Sequence, residues 1–116
     1  MTRNQTVEIN HLTVLQIQYL TELEQLEKGR GTIGAVAAKC GVKHPTVSRF
    51  IKSCIEKGYL TESLEFTDKG KKMLRWHQKV QKDVREYLER SGITEGIDDV
   101  LKGMVENIDY IRLEEL

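Results

Sequence analysis

Four residues of chemical interest follow one another around the chain's single proline: Pro45, Thr46, Ser48 and Arg49. A guanidinium pairs bidentately with guanine or grips a phosphate, and hydroxyls bond base edges or backbone oxygens. Lys43 and His44 come just before this stretch and Lys52 just after it, so the same segment is cationic. Arg30 and Thr32 open the preceding helical run, where helix N–H groups favour an anion. Together these types and spacings suit contact with a polyanion rather than covalent chemistry.

Other chemistries lack their residues. Cys40 and Cys54 stand fourteen positions apart with no C-x-x-C pair, the pattern of reduced packing cysteines rather than of a metal or redox centre. His11, His44 and His77 are scattered, and a histidine on a helix face is more often a satisfied core residue than a ligand. There is no G-x-S-x-G, no glycine-rich phosphate loop and no strand–helix alternation. The turn GRGTIG follows a helix, so it lacks the strand that a dinucleotide site requires. The chain is therefore not expected to be an enzyme, and no cofactor is expected.

Several elements must position the polar segment. Residues 8–27 place Leu12, Leu15, Tyr19, Leu23 and Leu26 at helical steps. KGRG ends that helix, and Thr32 is predicted to cap a second one, IGAVAAK, closed by Gly41 in a left-handed conformation. Proline is favoured at the first helical position because its missing N–H is unpaired there anyway. Pro45 therefore marks the start of a third helix with His44 at its cap. Val47, Phe50, Ile51, Cys54 and Ile55 form the stripe of that helix that should be buried, which leaves Thr46, Arg49, Lys52 and Ser53 outside, with Ser48 at the border. The runs YLT and LEF about Glu62-Ser63 predict a small hairpin with a two-residue turn. Thr67 or Asp68 should cap a long fourth helix, with Gly70 tolerated in its first turn. Met73, Trp76, His77, Val80, Val84, Tyr87 and Leu88 line that helix. A break at 91–94 precedes a last helix over 95–113, striped by Ile97, Val100, Leu101, Met104, Val105, Ile108 and Ile111.

Two short helices about a glycine turn, followed by a hairpin, make the plan of a winged helix-turn-helix. Ala37 is small enough for a close crossing, Gly41 turns the chain, and Val47 fills the space between the helices. The charge distribution agrees with a polyanion partner. The chain is neutral in sum, yet residues 1–27 carry a balance of −3, residues 28–82 carry +9 and residues 83–116 carry −6. The bland reading of such a basic middle is a set of solvated helix faces. The helix spacing, the hairpin and the charge block together favour DNA.

The stretch GTIGAVAAKCGVKHPTVSRFIKSCIEKGYL, followed by FTDKGKKML, resembles the winged-helix repressors of the metal-dependent class, typified by the diphtheria toxin repressor and the manganese transport regulator. LERSGITEGIDDVLKGMVENID is similar to the dimerisation and metal-binding region of that class, so the resemblance spans about residues 12–112. The resemblance implies DNA binding by a homodimer. It also implies a cation site whose positions are poorly filled here. Gln81 stands where that class has a histidine and Arg85 where it has an acid. Val105-Glu106 replaces an adjacent acid and histidine, and Lys102 replaces another acid. Gln16 and Tyr19 lie near the place of an N-terminal acid pair. Of the implied ligands only Glu106 is retained, and one carboxylate does not hold a transition metal. A makeshift set of His11, His77 and Glu106 is the remaining alternative. No metal is expected.

The sequence thus predicts a mainly α chain: a winged helix-turn-helix with a short β-hairpin wing over residues 8–72, then a helical dimerisation region over residues 73–116 made of a long helix and a C-terminal helix. The expected function is transcriptional regulation of the iron- or manganese-dependent repressor type, without metal activation, as a homodimer on double-stranded DNA. The expected DNA contacts are Arg30, Thr32, Lys43, His44, Pro45, Thr46, Ser48, Arg49 and Lys52. The alternative is a winged-helix module that binds a protein. A polar N-terminus without a signal-peptide core, and no long apolar run, lead to the expectation of a cytoplasmic protein outside the membrane.

Overall fold

The structure, a computed structural model, describes residues 12–106. Among these residues there are five helices: α1 (Val14–Gln25), α2 (Thr32–Cys40), α3 (His44–Glu56), α4 (Asp68–Arg90) and α5 (Ile97–Glu106). The chain divides into two compact units, Leu15–Leu74 and a second one formed by residues 12–14 with 75–106.

The Leu15–Leu74 unit is built on apolar side chains at helical spacing. Ile17, Tyr19, Leu20 and Leu23 of α1 are buried, as are Val36 and Ala37 of α2. Val47, Phe50, Ile51 and Cys54 of α3 are buried as their spacing predicts, while Ile55 lies half-buried. The expected face of α1 is shifted: Ile17 and Leu20 face inward, and Leu15 is 37% exposed. Tyr19 and Phe50 join α1 to α3 edge to face, with ring centroids 5.8 Å apart. Lys28 closes the end of α1 by donating to the Leu23 and Leu26 carbonyls at 2.7 and 2.9 Å.

The turn between α2 and α3 is made as expected. Gly41 caps α2 in the left-handed region at φ 69°, and the Val42 N–H reaches back to the Ala37 carbonyl at 3.0 Å. Thr32 differs from expectation. Gly31, with φ 84°, occupies the N-cap, and Thr32 is the first helical residue. Its hydroxyl accepts the Gly29 N–H at 2.8 Å and points back at the Glu27 and Gly29 carbonyls, so it fastens the loop instead of the helix end. The start of α3 is one residue earlier than predicted, with Lys43 as its extended N-cap and Pro45 in its first turn.

The wing also differs. Among the described residues there is no strand; Leu60 and Phe66 form an isolated antiparallel bridge. The Thr61 N–H donates to the Glu65 carbonyl at 2.8 Å, and the Leu64 N–H donates to the Thr61 carbonyl at 2.9 Å. Leu64 takes φ 69°, so the loop is a turn plus one left-handed residue, longer than the two-residue turn expected. A leucine in place of the usual glycine hides this loop type from the sequence.

Thr67, one of the two cap candidates, caps α4. Its hydroxyl accepts the Gly70 N–H at 3.0 Å and contacts the Gly58 carbonyl at 2.5 Å. Cys40 and Cys54 are free. Burial pushes the Cys54 thiol up to about 12, and burial followed by the nearby Glu22 raises that of Cys40. Nucleophilic attack requires the thiolate. An Ellman titration of the native protein at pH 8 should therefore label the half-buried Cys40 slowly, and Cys54 only after urea is added. Rapid labelling of both in the native state would contradict this packing.

In the second unit Leu12, Trp76, His77, Val80, Leu88 and Leu101 are buried. Of the expected stripes, Tyr87 is 55% exposed, and Val100 and Met104 are 38% and 41% exposed. Ile108, Tyr110 and Ile111, like His11, lie outside the described residues. Among those described, no helix is long and apolar enough to cross a membrane.

Candidate nucleic-acid interface

Helix α3 separates its two faces cleanly. Val47 and Cys54 are almost wholly buried, while Pro45, Thr46, Arg49 and Lys52 on the other side are exposed. Thr46, Arg49 and Lys52 follow one another at three-residue steps, so they share one outward stripe. Lys43 and His44 stand exposed at the N-terminal end of the same helix, and Ser48 is half-buried at the border of the stripe. Among the described residues, none of Lys43, Arg49 and Lys52 enters an ion pair. Their charges are therefore directed to solvent.

The turn before α3 is held close to α2. A Cβ added at Gly34 would meet the His44 ring at 3.8 Å, an ordinary contact distance. Arg30 is exposed in the loop that leads to α2. Thr32, expected beside it as a phosphate contact, is only 5% exposed with its hydroxyl already bonded, so it is removed from the set. The other eight residues named from the sequence reach the surface wholly or in part.

The positions implied for a cation hold other interactions. The Arg85 guanidinium bonds Asp98 at 2.6 Å. Glu106 accepts the Val14 N–H with one oxygen at 2.9 Å and the Lys102 ammonium with the other at 3.1 Å. The carboxylate thus sits at the first N–H of α1, where negative charge is favoured. His77 is buried with its ring edge-on to Trp76, centroids 4.8 Å apart. The amide nitrogen of Gln81 is buried without a hydrogen-bond partner among the described residues. Among the described residues, no three of His, Cys, Asp and Glu gather in one place.

One part of this surface was missed from the sequence. Glu62 and Glu65 are exposed on the wing, and no lysine or arginine lies between Lys57 and Lys69. The signal was present in LTESLEF as a run of acids inside the basic block.

No curated protein matches the chain, and no solved structure does. Residues 8–94 match the family described as wHTH-PRTase associated, a winged helix-turn-helix domain associated with phosphoribosyltransferases. The match upholds the winged-helix part of the resemblance, but the matching family is not the metal-dependent repressor class. With a solvent-facing α3 behind a glycine turn and a family match over most of its length, the chain belongs to the winged helix-turn-helix family associated with phosphoribosyltransferases.

Proposed function

We propose that the chain is a DNA-binding regulator that docks α3 in the major groove and acts by binding rather than by catalysis. The observation that carries this reading is the outward stripe of Thr46, Arg49 and Lys52, with Lys43 at its head and no ion pair to any of them among the described residues. Cations left to solvent on a helix that follows a tight turn supply phosphate attraction, and short polar side chains between them suit base edges. Arg30, Lys43 and Lys52 hold phosphates, while His44, Thr46, Ser48 and Arg49 lie where bases are read, with Pro45 fixing the helix start. The protein works as a homodimer, which presents two such helices to one duplex. Exposed Tyr87, Val100 and Met104 support that pairing.

Regulation proceeds without an activating metal. The support is chemical: Arg85 and Lys102 bring positive charge to the positions where the repressor resemblance implies ligands, and the Glu106 carboxylate is already bonded. A second reading is favoured by the family description: the winged helix is the protein-binding partner of a phosphoribosyltransferase.

Fluorescence polarisation on a labelled duplex from upstream of the protein's own reading frame tests both readings. It should be run with chelator, with excess manganese, and over a salt series. Binding with chelator that falls steeply with salt is the expected result. Binding only with manganese would overturn metal independence, and no binding under either condition would move the protein-partner reading ahead.

A further inference from the structure

The wing sits in the Leu15–Leu74 unit directly after α3. The Tyr59 N–H bonds the Cys54 carbonyl at 2.9 Å, so the chain leaves the helix and enters the hairpin without a spacer. Its tip is fixed by the Leu64 N–H to Thr61 carbonyl bond and by Thr61 and Ser63 hydroxyls 3.0 Å apart. At that tip Glu62 and Glu65 are exposed. At its base the exposed Lys69 donates its ammonium to the Lys57 carbonyl at 3.0 Å, and that ammonium lies 5.2 Å from the centre of the Tyr59 ring. Between Lys57 and Lys69 the wing thus carries exposed carboxylates and no lysine or arginine, and it follows a helix that presents cations and no carboxylate before Glu56.

Five residues lie between Glu56 and Glu62, which keeps Glu62 within about 20 Å of the end of α3. That is within one Debye length at about 0.01 M salt and about two and a half at physiological salt, so the coupling is largest at low salt. A duplex lying on α3 brings its phosphates into this range.

We propose that Glu62 and Glu65 make the wing a negative guard on the DNA interface: it is repelled by the phosphate backbone, confines contact to α3 and the turn before it, and holds affinity for arbitrary duplex low. The proposal rests on the DNA-binding reading. A guard of this kind weakens every duplex alike, so it lowers occupancy of arbitrary duplex and leaves the preference itself to the base contacts on α3.

The test is the double variants E62Q/E65Q and E62K/E65K, measured by polarisation on the preferred duplex and on a scrambled one. The loop is held by backbone and Thr61 groups, so both variants keep its bonds. Circular dichroism and thermal melting check that they do. Each unit of charge across about 10 Å of water changes affinity about twofold. Charge reversal at both sites is thus expected to tighten binding to both duplexes about tenfold at low salt, with the neutral pair in between. At about 0.5 M salt the gain should shrink to under about twofold. If the native chain binds and neither variant binds more tightly, the guard is refuted while the DNA reading stands. If the native chain and E62Q/E65Q both fail to bind and only E62K/E65K binds, the added lysines create the affinity and the guard is refuted. Failure of all three to bind any duplex refutes the DNA reading and the guard with it.

Discussion

Gly70→Ala should destabilise the Leu15–Leu74 unit by about 3 kcal/mol, which is the opposite of what the same change does in an ordinary helix. Gly70 lies in the first turn of α4, where alanine is favoured by about 1 kcal/mol on propensity alone. Here, however, an added Cβ would lie 2.0 Å from the Tyr59 carbonyl oxygen, 2.8 Å from its carbon and 3.1 Å from the Tyr59 Cα. The obstacle is backbone, so no side chain can swing aside. That backbone is also pinned: the Thr67 N–H and hydroxyl both bond the Tyr59 carbonyl, at 3.1 and 3.2 Å, and Tyr59 itself is 1% exposed. Relief would require the hairpin to lift off α4. Gly34→Ala is the matched control, because its nearest obstacle is a His44 ring carbon at 3.8 Å. It should raise stability by up to about 1 kcal/mol. Urea unfolding followed by far-ultraviolet circular dichroism reads both as opposite shifts of the midpoint. A Gly70→Ala midpoint at or above the native one would mean that the hairpin does not pack on α4 as described.

That pair of glycines shows which parts of the fold the sequence makes legible. Periodicity revealed α3 and its buried face, since Val47, Phe50, Ile51 and Cys54 repeat at helical steps and all are buried. Local chemistry revealed the Gly41 turn and the helix start at Pro45, because few residues tolerate those conformations. Gly70 was legible only as a cost to the helix. Its purpose depends on Tyr59, eleven residues earlier, and no local rule connects the two. Thr32 failed for a related reason. A threonine before an apolar run reads as a cap, yet a preceding glycine at φ 84° took that place and freed the hydroxyl to bond the loop.

The proposed DNA surface divides in the same way. Exposure of Thr46, Arg49 and Lys52 follows from the helical phase of α3 once its buried residues are known. Thr32 was lost from the set because its exposure depended on a loop rather than on a periodic face. Of the repressor resemblance, the family match upholds the winged helix and not the metal-dependent class, and the implied ligand positions hold other interactions. There, Arg85 and Lys102 have carboxylate partners in Asp98 and Glu106, interactions that no motif encodes.

Arg49→Ala should weaken binding to the preferred duplex by about 1–3 kcal/mol, or about 5- to 150-fold, if its guanidinium reads a base. Stability should change little, because Arg49 is exposed, has no ion pair among the described residues, and alanine suits a helix at least as well. The pattern of the loss carries the information. A base contact costs affinity on the preferred sequence far more than on a scrambled one, and it relaxes specificity at one position. A phosphate contact costs both alike and lowers the salt slope by about one. Lys43→Ala supplies the second pattern for comparison, since a lysine at the cap of α3 is placed to meet backbone. Should Arg49→Ala behave as Lys43→Ala does, specificity would have to come from the hydroxyls of Thr46 and Ser48. Should it leave affinity on every duplex unchanged, α3 is not the reading helix, and its unpaired cations would then favour an acidic face on a partner protein.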